Sequence, residues 1–129
     1  MKSLQDQFVE VQRAFPDAGM TSAPDGAYLI SIPAMALPAG WSKSATGMCF
    51  VVPTGYPYAV PDCFWTDGDL KLASGQPPQN AQIGNVNPAQ PDATLLWFSW
   101  HLNAALWKPG VSTLMTFVKV IKNRFDAVQ

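Results

Sequence analysis

The sequence predicts an α+β domain, an antiparallel sheet flanked by one helix at each end of the chain. Three observations predict it. Apolar residues recur at helical spacing only towards the two termini. Between them lie short β-branched and aromatic runs set off by proline and glycine. No helical pattern separates those runs, which implies an antiparallel meander rather than parallel crossover units.

Leu4 to Phe15 forms the first helix, with Leu4, Phe8, Val11 and Phe15 at helical spacing. Ser3 stands at the N-cap position, and Asp6 three residues later suits the positive end of the helix dipole. Pro16 stops the helix, and Asp17 to Gly26 has the composition of a loop. Ala27 to Pro33 is strand-like through Tyr28, Leu29, Ile30 and Ile32. Ala34 to Trp41, with Pro38 and Gly40, is expected to be an irregular link. Met48 to Pro53 is a second strand. Gly55 to Asp62 carries Pro57 and Pro61 and is expected to be extended and stiff, because proline fixes φ and biases its predecessor. Cys63-Phe64-Trp65 is a short strand.

Asp67 to Ala93 is polar and rich in Gly, Pro, Asn and Gln, a long loop expected to cover or border the aromatic stretch on its C-terminal side. Val111 to Gln129 is the second helix. Leu114, Phe117, Val118, Ile121 and Phe125 make a core stripe, and Lys119, Lys122, Asn123 and Asp126 lie mostly off it. Ser112 or Thr113 can cap it.

At 129 residues the chain is long enough for one sizeable core. A net charge of −1 leaves no basic stripe to release counterions, so no nucleic-acid partner is expected. No uncharged apolar run reaches bilayer length, and the charged N-terminus lacks a signal-peptide core, so no membrane partner is expected and a cytoplasmic location is. The two cysteines, Cys49 and Cys63, sit in apolar surroundings and read as reduced core residues. With one histidine beside them there is no zinc-site spacing, and neither a metal nor another cofactor is expected.

The candidate site is the stretch from Phe98 to Gly110, which holds the only histidine, His101, among tryptophans. Ser99, His101 and Asn103 succeed one another at intervals of two. On an extended segment Ser99 and His101 share a side. On a regular helix they would point about 200° apart, so a working pair requires irregular backbone. The competing reading makes Ser99 a hydroxyl bonded to backbone, His101 a pin for the long loop and Asn103 a turn cap. Trp97, Trp100 and Trp107 read as packing. Asp67 and Asp69 read as solvated loop carboxylates that could instead orient an amine, and Ser74-Gly75 reads as a turn.

The order of elements, with two motifs, resembles the ubiquitin-conjugating-enzyme fold. That family carries a Tyr-Pro-x-x-Pro-Pro segment leading into a strand. Here Tyr56-Pro57-Tyr58-Ala59-Val60-Pro61 is similar, with Val60 in place of one proline and Trp65 near a family phenylalanine. Trp107-Lys108-Pro109 is similar to the family's Trp-x-Pro ahead of a helix. The family places its catalytic cysteine about eight residues before that tryptophan, and here the position holds Ser99. The family's His-Pro-Asn motif is absent from the loop after Trp65, and both cysteines precede that loop. The chain therefore resembles a divergent prokaryotic member of the superfamily, a single UBC-like domain over residues 1–129.

The resemblance implies a bacterial ubiquitin-like conjugation operon with a role in phage defence. It implies two partners, an adenylating protein like the ubiquitin-activating enzyme and a ubiquitin-like protein. It also implies acyl transfer, and here the residues decide the form. A serine can carry the acyl group as an oxyester once a base takes its proton. His101 is the side chain suited to that near neutral pH. Asn103 can donate its amide to an oxyanion, the role of the missing motif's asparagine. The catalytic set expected is therefore Ser99, His101 and Asn103. The alternative is a catalytically inactive UBC-like module that binds a ubiquitin-like protein or the activating enzyme. An unrelated serine hydrolase fits least, because Phe98 and Trp100 rather than glycines flank Ser99.

Overall fold

A computed structural model of the chain describes residues 2–129. Helix α1 spans Leu4–Ala14, and α2 spans Leu114–Asp126. Between them run β1 (Gly19–Ser22), β2 (Tyr28–Ala36), β3 (Ala45–Val52), β4 (Phe64–Asp67), β5 (Ala81–Ile83) and β6 (Leu95–Phe98). All pair antiparallel in one six-stranded sheet of order β1-β2-β3-β4-β6-β5. This is the α+β UBC-like arrangement that the sequence predicts.

Both helices start where their caps dictate. Ser3 accepts a hydrogen bond from the Asp6 amide at 3.1 Å, satisfying one of the orphan donors of the first turn. Thr113 caps α2, its amide donating to Thr116 Oγ1 at 2.9 Å. That places the start of α2 at Leu114, three residues beyond Val111, which is exposed. The α2 stripe is buried as its spacing requires: Leu114, Phe117, Val118, Ile121 and Phe125 are all at most 1% exposed.

Alternation along the strands divides the sheet into two faces. Ile30, Ile32, Met48, Phe50, Phe64, Leu96 and Phe98 join Phe8 and Val11 of α1 and the α2 stripe in the main core. Phe64 and Phe98 stack at 4.7 Å, and Phe125 meets both edge-on. Leu29, Cys49 and Trp65 occupy the other face, beneath Ala89. There the Trp65 indole donates to the Asn85 carbonyl at 2.9 Å. Both cysteines are buried free thiols, and burial pushes the Cys49 pKa up to about 11.

Further local features differ from the sequence expectation, and β5 itself lies inside the segment 67–93 expected as loop. The segment expected as a loop before Gly26 contains β1, an edge strand that pairs through backbone and offers little apolar pattern. Strand β2 continues past Pro33 to Ala36, into the expected link, and its register shifts between Ile32 and Met35. That irregularity accommodates a residue with no N–H to give the ladder. Residues 55–59 form a turn rather than an extended rod. Gly55 takes φ +90°, and its carbonyl accepts from Tyr58 and Ala59 at 2.9 and 3.1 Å. A proline φ suits a turn as well as an extended chain. Finally, the chain leaves β4 and returns as β6 beside it, with β5 outside, so the meander holds only for the first four strands.

Gln7 ties three elements together from a nearly buried position, 3% exposed. Its Oε1 accepts from the Tyr56 hydroxyl at 2.6 Å and from the Leu114 amide at 3.1 Å. Gln7→Leu strands both donors, and the expected cost is about 1–3 kcal/mol. Urea denaturation should show a lower midpoint at unchanged slope.

Candidate functional site

Two irregular segments meet beside the sheet: residues 55–63, leading into β4, and residues 99–113, joining β6 to α2. The Trp107 indole donates to the Pro57 carbonyl at 2.8 Å, and the Tyr56 and Trp107 rings meet edge-on at 5.7 Å. The tyrosine–proline segment and the tryptophan–x–proline segment are thus each other's packing partners. The Cys63 amide donates to the Trp100 carbonyl at 3.0 Å, and the Ser99 amide donates to the Asn80 carbonyl at 2.8 Å. The second bond ties the stretch to the long loop, which borders it as expected.

His101 lies on irregular backbone, as a Ser99–His101 pair requires. Its Nδ1 faces a carboxylate oxygen of Asp62, and the two side chains are 62% and 58% exposed. Ser99 is half-buried. Among the described residues no hydrogen bond engages its hydroxyl, and none joins it to His101. Asn103 caps the single helical turn Ala104–Leu106, its Oδ1 accepting from the Ala105 amide at 3.1 Å. Its amide NH2 group has no partner among the described residues. The structure therefore gathers the three predicted residues on one short segment without closing a hydrogen-bonded triad.

The structure adds two residues that spacing alone missed, Asp62 and Cys63. Asp62 pairs with His101 across 39 positions, so no local pattern marks it. One signal was available: Asp62 is the sole carboxylate between Asp25 and Asp67. Cys63 precedes β4 and takes φ +60°, a left-handed conformation that costs a non-glycine residue about 1–3 kcal/mol. Neighbouring side chains on a strand point to opposite faces. The left-handed residue breaks that alternation and lets Asp62 and Cys63 address the same histidine. One donor atom from each of Asp62, Cys63 and His101 lies within 4.8 Å of the others. Burial, aided by the Asp62 charge, pushes the Cys63 thiol up, against a lowering contribution from the Trp100 backbone.

The other carboxylates considered lie in a different network. Lys43 donates to Asp67 at 2.7 Å and to Asp69 at 2.9 Å. Asp67 is held below the usual carboxylate range: burial raises it, and the Lys43 ammonium and the Gly47 amide outweigh that. Ser74-Gly75 is a turn, with Gly75 at φ +89° and its amide bonded to the Leu72 carbonyl.

A six-stranded antiparallel sheet with both helices packed on one face, and a tyrosine–proline turn clasped by a tryptophan–x–proline segment, defines a UBC-like protein. Residues 18–127 match the family model described as Prokaryotic E2 family E, and the chain belongs to that family. No curated protein and no solved structure matches it. Membership carries an E2-like role in conjugating a ubiquitin-like protein, and with it dealings with an activating enzyme and that cargo in general. No described helix is long and apolar enough to cross a membrane.

Proposed function

We propose that this chain accepts a ubiquitin-like protein from an adenylating activating enzyme as an oxyester on Ser99 and passes it to an acceptor. The observation that carries the reading is the Asp62 carboxylate at His101 Nδ1, two residues from Ser99 on non-helical backbone. A base needs a third group to fix its tautomer and orientation, and Asp62 is placed for that.

Each step has a residue to perform it. Ser99 Oγ attacks the activated carbonyl of the cargo while His101 Nε2 takes the hydroxyl proton. The thiolate of the activating enzyme leaves, and the imidazolium is stabilised by Asp62. The Asn103 amide donates to the developing oxyanion, and one such donor lowers the barrier by about 3–4 kcal/mol. His101 hands its proton to the departing thiol and is neutral again; an amine or hydroxyl of the acceptor then attacks the oxyester, its proton passes to His101 Nε2, and His101 returns that proton to Ser99 Oγ as the serine leaves. The hydrogen bond between Ser99 and His101 forms when cargo binds, as catalytic hydrogen bonds commonly tighten only in the complex.

The test incubates the chain with its activating enzyme, ATP and the ubiquitin-like protein, with magnesium as the only divalent ion. The expected result is an adduct that hydroxylamine cleaves and dithiothreitol does not, absent from Ser99→Ala. An adduct that persists in Ser99→Ala removes the serine assignment. Binding of the cargo or the activating enzyme without any adduct favours the inactive binding module instead.

A further inference from the structure

We infer that Asp62, Cys63 and His101 form a binding site for a divalent cation of the zinc class. The donor set is a thiolate, an imidazole and a carboxylate, the three protein ligands that zinc takes. The sulfur excludes magnesium and calcium, which require oxygen ligands. A tetrahedral ion with bonds of about 2.0–2.3 Å spaces its ligands roughly 3.3–3.8 Å apart. The three donors already lie within 4.8 Å of one another, so side-chain rotations bring them to that spacing.

The surroundings fit the same ligand. Asp62 and Cys63 are neighbours in the chain, with the Cys63 amide bonded to the Trp100 carbonyl at 3.0 Å. Cys63 is 8% exposed, which suits a buried sulfur ligand better than a nucleophile open to a bulky cargo. Coordination removes the thiol proton outright, whatever the burial does to the free thiol. His101 and Asp62 are open to solvent, which leaves a fourth position for water and a path for the ion. The carboxylate–imidazole contact is the one that an ion entering between them would replace.

This inference goes beyond the acyl-transfer reading. The imidazole cannot serve a cation and Ser99 at once, so the metal-free chain is the form that loads. The test needs no activating enzyme. The full chain, stripped with chelator, is titrated with Co²⁺ as a spectroscopic probe and then with Zn²⁺ in competition. The expected result is one equivalent bound, with a thiolate-to-metal charge-transfer band in the near ultraviolet that Zn²⁺ abolishes. Cys63→Ala loses the band, and His101→Ala and Asp62→Asn bind at least about tenfold more weakly. Cys49→Ala keeps the band. Absence of the band in the wild type, its survival in Cys63→Ala, or unchanged affinity in His101→Ala overturns the site. Far-ultraviolet circular dichroism of each variant identifies any that fails to fold, and for such a variant the same residue is tested as Cys63→Ser or His101→Gln.

Discussion

His101→Ala is expected to slow loading of the ubiquitin-like protein by about 10²–10⁴-fold, the range that a positioned general base contributes. The fold should be untouched. His101 is exposed, and its side chain contacts the equally exposed Asp62, so no core packing is lost with it. Thermal unfolding of the variant should therefore overlay that of the wild type. Asp62→Asn keeps a hydrogen-bonding partner but removes the charge that stabilises the imidazolium, so it should slow loading less than His101→Ala does. Single-turnover transfer from a preloaded activating enzyme reads the rate directly. Loading of His101→Ala at the wild-type rate removes the base from the mechanism.

Arg124→Ala is expected to destabilise the fold by about 3–5 kcal/mol, combining a core cavity with carbonyls left unpaired. Arg124 is a cation buried in the core at 1% exposure. Burial lowers its tendency to stay charged. Its guanidinium is held by backbone oxygens, those of Ala127 at 2.9 Å, Gln79 at 2.8 Å and Gln129 at 2.9 Å. It also lies over the Phe98 and Trp100 rings at 5.2 Å from each centroid. One side chain thereby joins the end of α2 to the long loop ahead of β5 and to the segment that carries Ser99. Arg124→Lys should recover only part of the loss, because an ammonium cannot reproduce the planar fork or the stacking. The melting temperature of Arg124→Ala should fall by roughly 10–20 °C. A change under about 1 kcal/mol would show that these contacts do not hold the region together.

How much of this was legible depended on where the physics is local. The helices declared themselves, because an amphipathic stripe and a cap are written within a dozen residues: Phe8 and Val11 are buried as spaced, and so is the whole α2 stripe. Edge strand β1 was not legible, since Gly19-Met20-Thr21-Ser22 pairs through its backbone and offers the core a single large apolar side chain, Met20. Strand β6 was hidden inside an aromatic run, and its position beside β4 is a matter of topology. Nothing in the helical pattern sets Arg124 apart from its polar neighbours Lys122 and Asn123. Only the convergence of the Gln79 and Ala127 carbonyls with three aromatic rings makes a buried guanidinium tolerable there.

The site divided in the same way. A Ser99–His101 pair requires irregular backbone, and the chain around His101 is irregular. The partners of His101 were not legible, because Asp62 and Cys63 reach it across the fold and depend on a left-handed residue that a cysteine rarely adopts. Spacing rules for metal sites look for ligands clustered in sequence, and this cluster is assembled by the clasp between Trp107 and Pro57.

The most direct measurement is peptide mapping of the loaded chain by mass spectrometry, after the adduct has formed in magnesium alone. The expected result is the C-terminal remnant of the cargo attached to the hydroxyl of Ser99, on the peptide that also contains His101. A remnant on Cys63 instead, or an adduct cleaved by dithiothreitol, would contradict the oxyester and move the chemistry to the thiol.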